Sequence, residues 1–450
     1  MDSSKGIPDT REIQRVALAS AIGCVIEWYD FFLYGVVAGL VFNKLFFPNQ
    51  DAFVGVLLAY ATFAVGFVAR PIGGIVFGHF GDRLGRKRML VLTLLIMGVS
   101  TFLIGLLPTY TSAGVWAPIL LLVLRVLQGL GIGGEWGGAV LMAVEYAPKE
   151  RRGFYGSWPQ IGVPAGLFLA TIVVAALSRL SDEAFLDWGW RVAFLLSALL
   201  VVVGLYIRLK ILESPMFVEL KQSQEQAKVP FFELWRTHAV KTILGMGCRY
   251  IEGVTFNIFG VYSIAYLTTA LKLPRTTALI AVSVASLVMV FLIPVFGKLS
   301  DTFGRRRTFA IGVAGIALLA YPSFWLMNTR DVTLVMLAIV VPFGIVYPMV
   351  YGPIAAMFSE SFSTRVRYTG VSFVYQFSGI FASGLTPLIA ATLLHYDDGQ
   401  PWLIAAYMVG VAIISLISVA FLGDRTGQAL SEIDQLGADP AVAPVAAPAR

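Results

Sequence analysis

Apolar residues run along this chain in long unbroken stretches, not in the two-residue alternation of a strand or the single stripe of a soluble helix. A helix needs ~20 mostly apolar residues to cross a bilayer. Twelve stretches qualify: 17–46, 52–77, 88–107, 116–145, 153–177, 190–210, 239–270, 277–297, 308–327, 332–357, 370–394 and 402–422. Such runs predict helices and not a barrel, because a helix satisfies its own backbone polar groups within one segment. An even count places both ends of the chain on one side. The longest polar segment, around residues 213–238 with its Lys and repeated Gln, follows the sixth stretch and divides the rest into two sets of six. The fold class expected is therefore an all-α polytopic membrane protein, with twelve transmembrane helices in two pseudo-symmetric six-helix bundles. Its divisions are an N-terminal stretch 1–16, a bundle 17–210, a linker 211–238, a second bundle 239–422 and a disordered tail 423–450. The first 16 residues carry acids and no apolar core, so no cleavable signal peptide is expected. From Gly437 the tail becomes Ala- and Pro-rich, too poor in large apolar groups to pack, and disorder is expected there.

Composition agrees: 58% of the 450 residues are hydrophobic and 13% charged, which is membrane-like and unlike a soluble globule. The net charge of +6 does not point to nucleic acid, because most Lys and Arg fall in the short loops on one side of the predicted spans. By the positive-inside rule that side, with both termini, is the cytoplasm, as for a multi-pass protein of an inner or plasma membrane. Cys24 and Cys248 lie in apolar runs, so neither a disulfide framework nor a metal site is indicated. His79, His238 and His395 sit at span ends or in loops, and no HExxH, GxSxG or Walker sequence occurs. No enzyme, cofactor or metal is expected, and a monomer in lipid is.

One polar loop occurs twice. GHFGDRLGRKR joins the second and third spans through Gly78, Asp82, Arg83, Gly85 and Arg86, and the spacing returns at Gly297, Asp301, Gly304 and Arg305 between the eighth and ninth. Small residues let helix ends approach, and an Asp there can accept hydrogen bonds from the N-terminus of a neighbouring helix. The two loops are candidate conformational clasps. In the fourth span Gly129, Gly133 and Gly137 recur every four residues and predict a close helix-packing face. No strand precedes them and no Gly-Lys-Ser/Thr follows, so a phosphate loop is not supported.

Charged side chains inside apolar spans cost ~2.5–3.5 kcal/mol each at the bilayer centre, and this chain has seven: Glu27, Asp30, Arg70, Arg125, Glu135, Arg249 and Glu252. At ~1.5 Å of rise per residue, Arg70 and Glu135 fall nearer the cytoplasm, as a structural ion pair between the second and fourth helices. The other five fall near the midplane, where three acids face two guanidiniums. One acid without a partner there could bind and release a proton. Glu27 and Asp30 share one face of the first helix, and Arg249 and Glu252 one face of the seventh. An arginine keeps its charge and can hold a carboxylate through two parallel bonds, which makes Arg249 the candidate substrate anchor. Glu252, Gln160, Asn257, Tyr29, Tyr375 and Gln376 are further candidates for the substrate site. Each charge could instead be a pair that only ties helices together.

The paired loops resemble the signature loop of the major facilitator superfamily and its weaker echo in the second half. IEWYDFFLYG (26–35), RPIGGIVFGHFGDRLGRKR (70–88), LRVLQGLGIGGEWGG (124–138) and WGWR (188–191) are similar to the metabolite:proton symporter family, which includes shikimate, ketoglutarate and proline/betaine carriers. The resemblance implies that Arg125, with Gln128 and Gly129, matches the fourth-helix motif whose arginine is associated with proton coupling. Asp30 is then its first-helix partner, with Glu27 the rival. The stretch 162–166 lacks the late Gly-Pro of the family's antiporters, which favours symport. The function implied is proton-driven uptake of a small organic acid, such as a shikimate- or dicarboxylate-like metabolite. Zwitterionic osmolytes are the alternative, although the tail is shorter than that of the osmosensing relatives, and a non-transporting membrane sensor is a reading of a different class.

Overall fold

The structure, a computed structural model, describes residues 10–84, 86–133, 136–145, 147–210, 230–364 and 366–428. Among the described residues the long helical stretches follow the apolar runs. α1 is Thr10–Val37, carried on through a π-helical turn Ala38–Phe42 and Asn43–Leu45. α2 is Ala52–Leu84 and α3 Arg86–Leu106. α4 is described as Trp116–Gly133 and Trp136–Glu145, and α5 is Arg152–Leu177. α6 runs from Asp182–Ala184 through Phe185–Gly189 and Trp190–Leu195 to Ser197–Lys210. α7 is Pro230–Asn257, extended by Ile258–Tyr262, Ser263–Ala265 and Tyr266–Ala270. α8 is Arg275–Phe303 and α9 Arg305–Asn328. α10 joins Val332–Ile339, Val340–Val346 and Tyr347–Ser359; α11 joins Arg367–Gly379, Ile380–Gly384 and Thr386–Tyr396; α12 is Trp402–Leu422.

Among the described residues, ten of these helices are long and apolar enough to cross a membrane, and α3 adds the shorter apolar stretch Val91–Leu106. α7, which carries Arg249, Glu252 and Asn257, all buried, in its apolar run, is not in that group. Outward-facing positions such as Ile75, Phe291, Leu318 and Phe421 are exposed large hydrophobics, the surface expected to meet lipid acyl chains.

The first six helices pack mainly with one another, α1 on α5 and α2 and α3 on α4. The second six do likewise, α7 on α11 and α12 and α9 on α10 and α12. Across the two sets the principal packings are α5 on α8 and α2 on α11. Matching π-helical turns, Ala38–Phe42 in α1 and Ile258–Tyr262 in α7, stand at equivalent places in the two halves. Such turns break the regular i→i−4 ladder and often mark functional segments. Pro342 lies in the π turn of α10 and Pro348 just after it, while Pro164 is inside α5.

Two boundaries differ from expectation. The last part of the linker, from Pro230, is already helix, and α7 breaks from helical geometry at His238 before entering the apolar run. Residues 423–428, expected to belong to a disordered tail, instead pack on the protein: Asp424 accepts from the Arg306 amide at 3.4 Å, and Thr426 accepts from the Arg305 amide at 3.0 Å. These contacts supply acceptors to the open N–H groups at the start of α9, which holds the segment down.

The glycine series of α4 is used as spacing suggests, with one difference. A Cβ on Gly129 would fall 2.2 Å from the Gly66 carbonyl oxygen, and one on Gly133 would fall 2.0 Å from that of Arg70, so α2 and α4 touch backbone to backbone. Gly137 faces Ser372 of α11 instead, in the other half. Gly129→Val is expected to destabilise the protein by roughly 1–3 kcal/mol or more through overpacking. Thermal unfolding in detergent would read this as a clear drop in midpoint, and an unchanged midpoint would contradict the close approach.

Candidate functional site

Helices α1, α2, α5, α7 and α11 converge on a narrow central cavity. Its wall is aromatic, with Trp28, Phe32, Phe67, Phe256 and Tyr375, and its charged groups are Arg70, Arg249 and Glu252; Val163, Asn257 and Ser383 complete it. Arg249 and Glu252, one turn apart on α7, form an ion pair. The Tyr347 hydroxyl donates to Glu252 at 2.6 Å. The Arg249 guanidinium lies 4.2 Å from the centre of the Tyr375 ring and donates to the Ser383 hydroxyl at 3.4 Å. Tyr375 in turn stacks on Trp136, with ring centres 3.4 Å apart. The Asn257 amide donates to the Gly253 carbonyl at 2.9 Å, and its Oδ1 has no hydrogen-bond partner among the described residues.

Arg70 corrects the expectation drawn from its depth along α2. It is not set apart toward the basic end of the helices but lines the central cavity beside the α7 pair. Its guanidinium is 4.9, 4.0 and 4.2 Å from the ring centres of Trp28, Phe31 and Phe67. Its Nε and one terminal nitrogen are buried without a hydrogen-bond partner among the described residues. Glu135, its expected partner, lies outside the described residues. A long side chain leaves its Cα by several ångströms, so helical rise alone misplaced the charge.

A second layer lies behind the cavity, within the first bundle. Asp30 is fully buried, and neither carboxylate oxygen has a hydrogen-bond partner among the described residues, although Thr101 stands beside it. Glu27 is also buried, one turn earlier on α1. Arg125 donates to Gln128 Oε1 at 3.1 Å and to the carbonyls of Phe31 and Phe63 at 3.5 and 3.4 Å, and it packs on the rings of Phe31 and Tyr34. Gly66 makes room for it: a Cβ there would fall 2.5 Å from Arg125 Nε. The expected Asp30–Arg125 ion pair is therefore not formed in this conformation. With Arg70 at the centre, Arg70, Arg125 and Arg249 stand against Glu27, Asp30 and Glu252 among the described residues, so a surplus acid does not follow from counting. The isolation of Asp30 rests on its geometry instead.

Three expected substrate residues do not line the cavity. The Tyr29 hydroxyl donates to the Ala193 carbonyl of α6 at 2.7 Å. Gln160 of α5 donates to the Tyr351 carbonyl of α10 at 2.9 Å, and Gln376 of α11 to the Gly133 carbonyl of α4 at 3.0 Å. Both amides thus tie one half of the protein to the other.

At the basic end of the helices the halves meet again. Asp301, at the end of α8, accepts from the Gly153 and Phe154 amides at the start of α5, at 2.8 and 3.0 Å. Arg305 donates to Asp301 at 2.6 Å and to both oxygens of Glu360 at 3.3 Å. Gly304 turns the chain there with φ of 95°, a backbone conformation that glycine adopts without strain. Arg152 lies 4.0 Å from Glu360 and donates to the Gln428 carbonyl at 2.8 Å. Arg367 of α11 pairs with Glu145 of α4 at 3.5 Å. Of the first-half loop, Gly85 and the side chains of Asp82, Arg83 and Arg86, with Gly78, lie outside the described residues. Glu360, Arg152, Arg367 and Glu145 were not found from sequence. Each is an ordinary charge at a span end, and only the loop repeat hinted that such ends meet.

A membrane carrier with a buried, charged cavity between two helical bundles is what this fold and site define. The chain belongs to the major facilitator superfamily, whose family model matches residues 21–384. It is a multi-pass membrane transporter and not an enzyme. It is 43% identical to the inner membrane metabolite transport protein YhjE of Escherichia coli over 410 residues, 90% of this chain and 93% of that one. It is 41% identical to the E. coli shikimate transporter over 414 residues, 91% and 94% of the two chains. Its fold resembles that of the proton:xylose symporter XylE, with a TM-score of 0.76 at 18% identity, covering 96% of this chain and all of that one.

Proposed function

We propose that this protein is a proton-coupled symporter that takes up a small organic acid by alternating access, with both termini in the cytoplasm. Arg70 carries this reading. It is a permanent cation facing the cavity with donors unused among the described residues, and a carboxylate is the group that would satisfy them. Arg249, from the other half, stands in the same cavity, so a bound acid would touch both bundles across the surface that must rock. Similarity to a shikimate transporter supports an organic acid, while more distant similarity to proline/betaine transporters, at 34% identity, keeps zwitterions as the competing class. The aromatic wall would suit a quaternary ammonium, but a zwitterion, although its carboxylate could meet Arg70, brings no net negative charge to offset the cavity's positive one.

The test is uptake into proteoliposomes under an imposed pH gradient, acidic outside, with shikimate, succinate, proline and betaine as probes. Concentrative uptake of a carboxylate is expected, with loss on Arg70→Ala. Uptake of betaine or proline alone would favour the zwitterion class, and no gradient-driven uptake of any probe would contradict symport. Arg70→Lys, which keeps the charge but loses the planar fork and its stacking, is expected to raise KM at least tenfold.

A further inference from the structure

We infer that Glu252 restricts the central site to substrates of a single negative charge. The inference rests on the organic-acid reading above and goes on to name the charge class. Among the described residues lining the cavity the acidic and basic side chains are Arg70, Arg249 and Glu252. Glu252 is paired with Arg249 and also accepts from the Tyr347 hydroxyl at 2.6 Å, while Arg249 is further engaged by Ser383 and the Tyr375 ring. The α7 pair is therefore electrically closed. Arg70 has aromatic faces around it and no carboxylate at ion-pair distance among the described residues. The wall so described carries one uncompensated positive charge.

A monocarboxylate neutralises that charge. A second ionised carboxylate would enter a buried site with no further free cation facing it among the described residues, and an unpaired charge is strongly disfavoured there. Arg125 is no substitute: it does not line the cavity, and its two terminal nitrogens donate to Gln128 and backbone carbonyls. The unused Asn257 Oδ1 would instead accept from a neutral donor such as a hydroxyl. Removing the charge of Glu252 while keeping its shape would release Arg249 as a second cation, and the site should then take a dianion.

The experiment measures binding of matched acids to purified wild-type protein and Glu252→Gln, by competition against a labelled carboxylate, with lactate against malate and shikimate against succinate. In the wild type, monoanions should bind at least tenfold tighter than dianions. As pH rises past the second ionisation of the dicarboxylate, its affinity relative to the monocarboxylate should fall about tenfold per pH unit, because only its monoanion fits. In Glu252→Gln that ratio should shift at least tenfold toward the dianion and lose its pH dependence. A wild type that binds dianions as well as monoanions overturns the inference without any variant, and so does an unchanged ratio in a folded Glu252→Gln. If no carboxylate of either charge binds the wild type, the organic-acid reading falls and takes this inference with it, whereas carboxylate binding without charge preference removes only the role of Glu252.

Discussion

Asp30→Asn is expected to leave substrate exchange intact and to abolish concentrative uptake. A carboxyl that shuttles a coupled proton must be stable as an uncharged acid in one state and find a cation in another. Asp30 stands buried among the described residues with neither oxygen hydrogen-bonded, and Arg125 nearby spends its two terminal nitrogens on Gln128 and two carbonyls while its Nε has no partner among the described residues. That arrangement suits the neutral acid, and a rocking of the bundles that brings the guanidinium to the carboxylate would release the proton. Asparagine is a close mimic of the neutral acid, so the variant should bind substrate and exchange it between preloaded vesicles and the medium. It should not respond to a pH gradient. For an electroneutral step of one monoanion with one proton, a gradient of one pH unit supports about tenfold accumulation, and the variant should fall to onefold. An Asp30→Asn carrier that still accumulates substrate would remove Asp30 from this role, with Glu27→Gln the next variant to measure.

The second large effect is expected at the opposite level of the molecule. Asp301 accepts two amides from the first turn of α5 and a guanidinium bond from Arg305, and so binds the second half to the first. Asparagine keeps the shape but loses the charge, and with a donor where an acceptor was needed it satisfies at most part of this set. Losing a charge-assisted bond at a partly buried helix terminus costs about 2 kcal/mol, which is roughly thirtyfold in a two-state equilibrium. If the contact exists only while this end is closed, as a conformational clasp requires, Asp301→Asn should shift the population toward the state open there. With Cys24 and Cys248, both buried, replaced and a single cysteine placed at Ser383, an impermeant maleimide applied from the basic side should label the variant faster than the parent. Equal labelling would mean that Asp301 does not hold the closed state.

Much of the architecture was legible because membrane insertion imposes strict terms on sequence. Apolar runs of the required length marked the helices, and the repeated Gly-Asp-Gly-Arg loop marked the division into halves. The cost of burying charge singled out Asp30, Arg125, Arg249 and Glu252 before any contact was known. That Arg249 and Glu252 share one helix face was legible, because their pairing is local to one helix turn. The place of Arg70 was not, because rise per residue fixes the height of a Cα and not where a flexible side chain ends.

Direction around the helix axis was the other failing. Tyr29, one residue from Asp30, is turned to α6, and Gly137 faces α11 while Gly129 faces α2. Such choices depend on which helices are neighbours, and no period within one segment contains that. Glu360, Arg152 and the Arg367–Glu145 pair were illegible for the same reason, since each takes its meaning from a partner on another helix.

The sequence by itself determined that the chain spans a membrane as two sets of helices and which charges must be hidden in it, because solvation energy is a property of each residue in its segment. Tertiary structure alone decided that Arg249 is neutralised by Glu252 while Arg70 faces the cavity without a carboxylate among the described residues, that Asp30 and Arg125 stand apart, and that Asp301 reaches α5. Those outcomes depend on distances of a few ångströms between helices far apart in the chain, and pairing energy exists only once packing has set those distances.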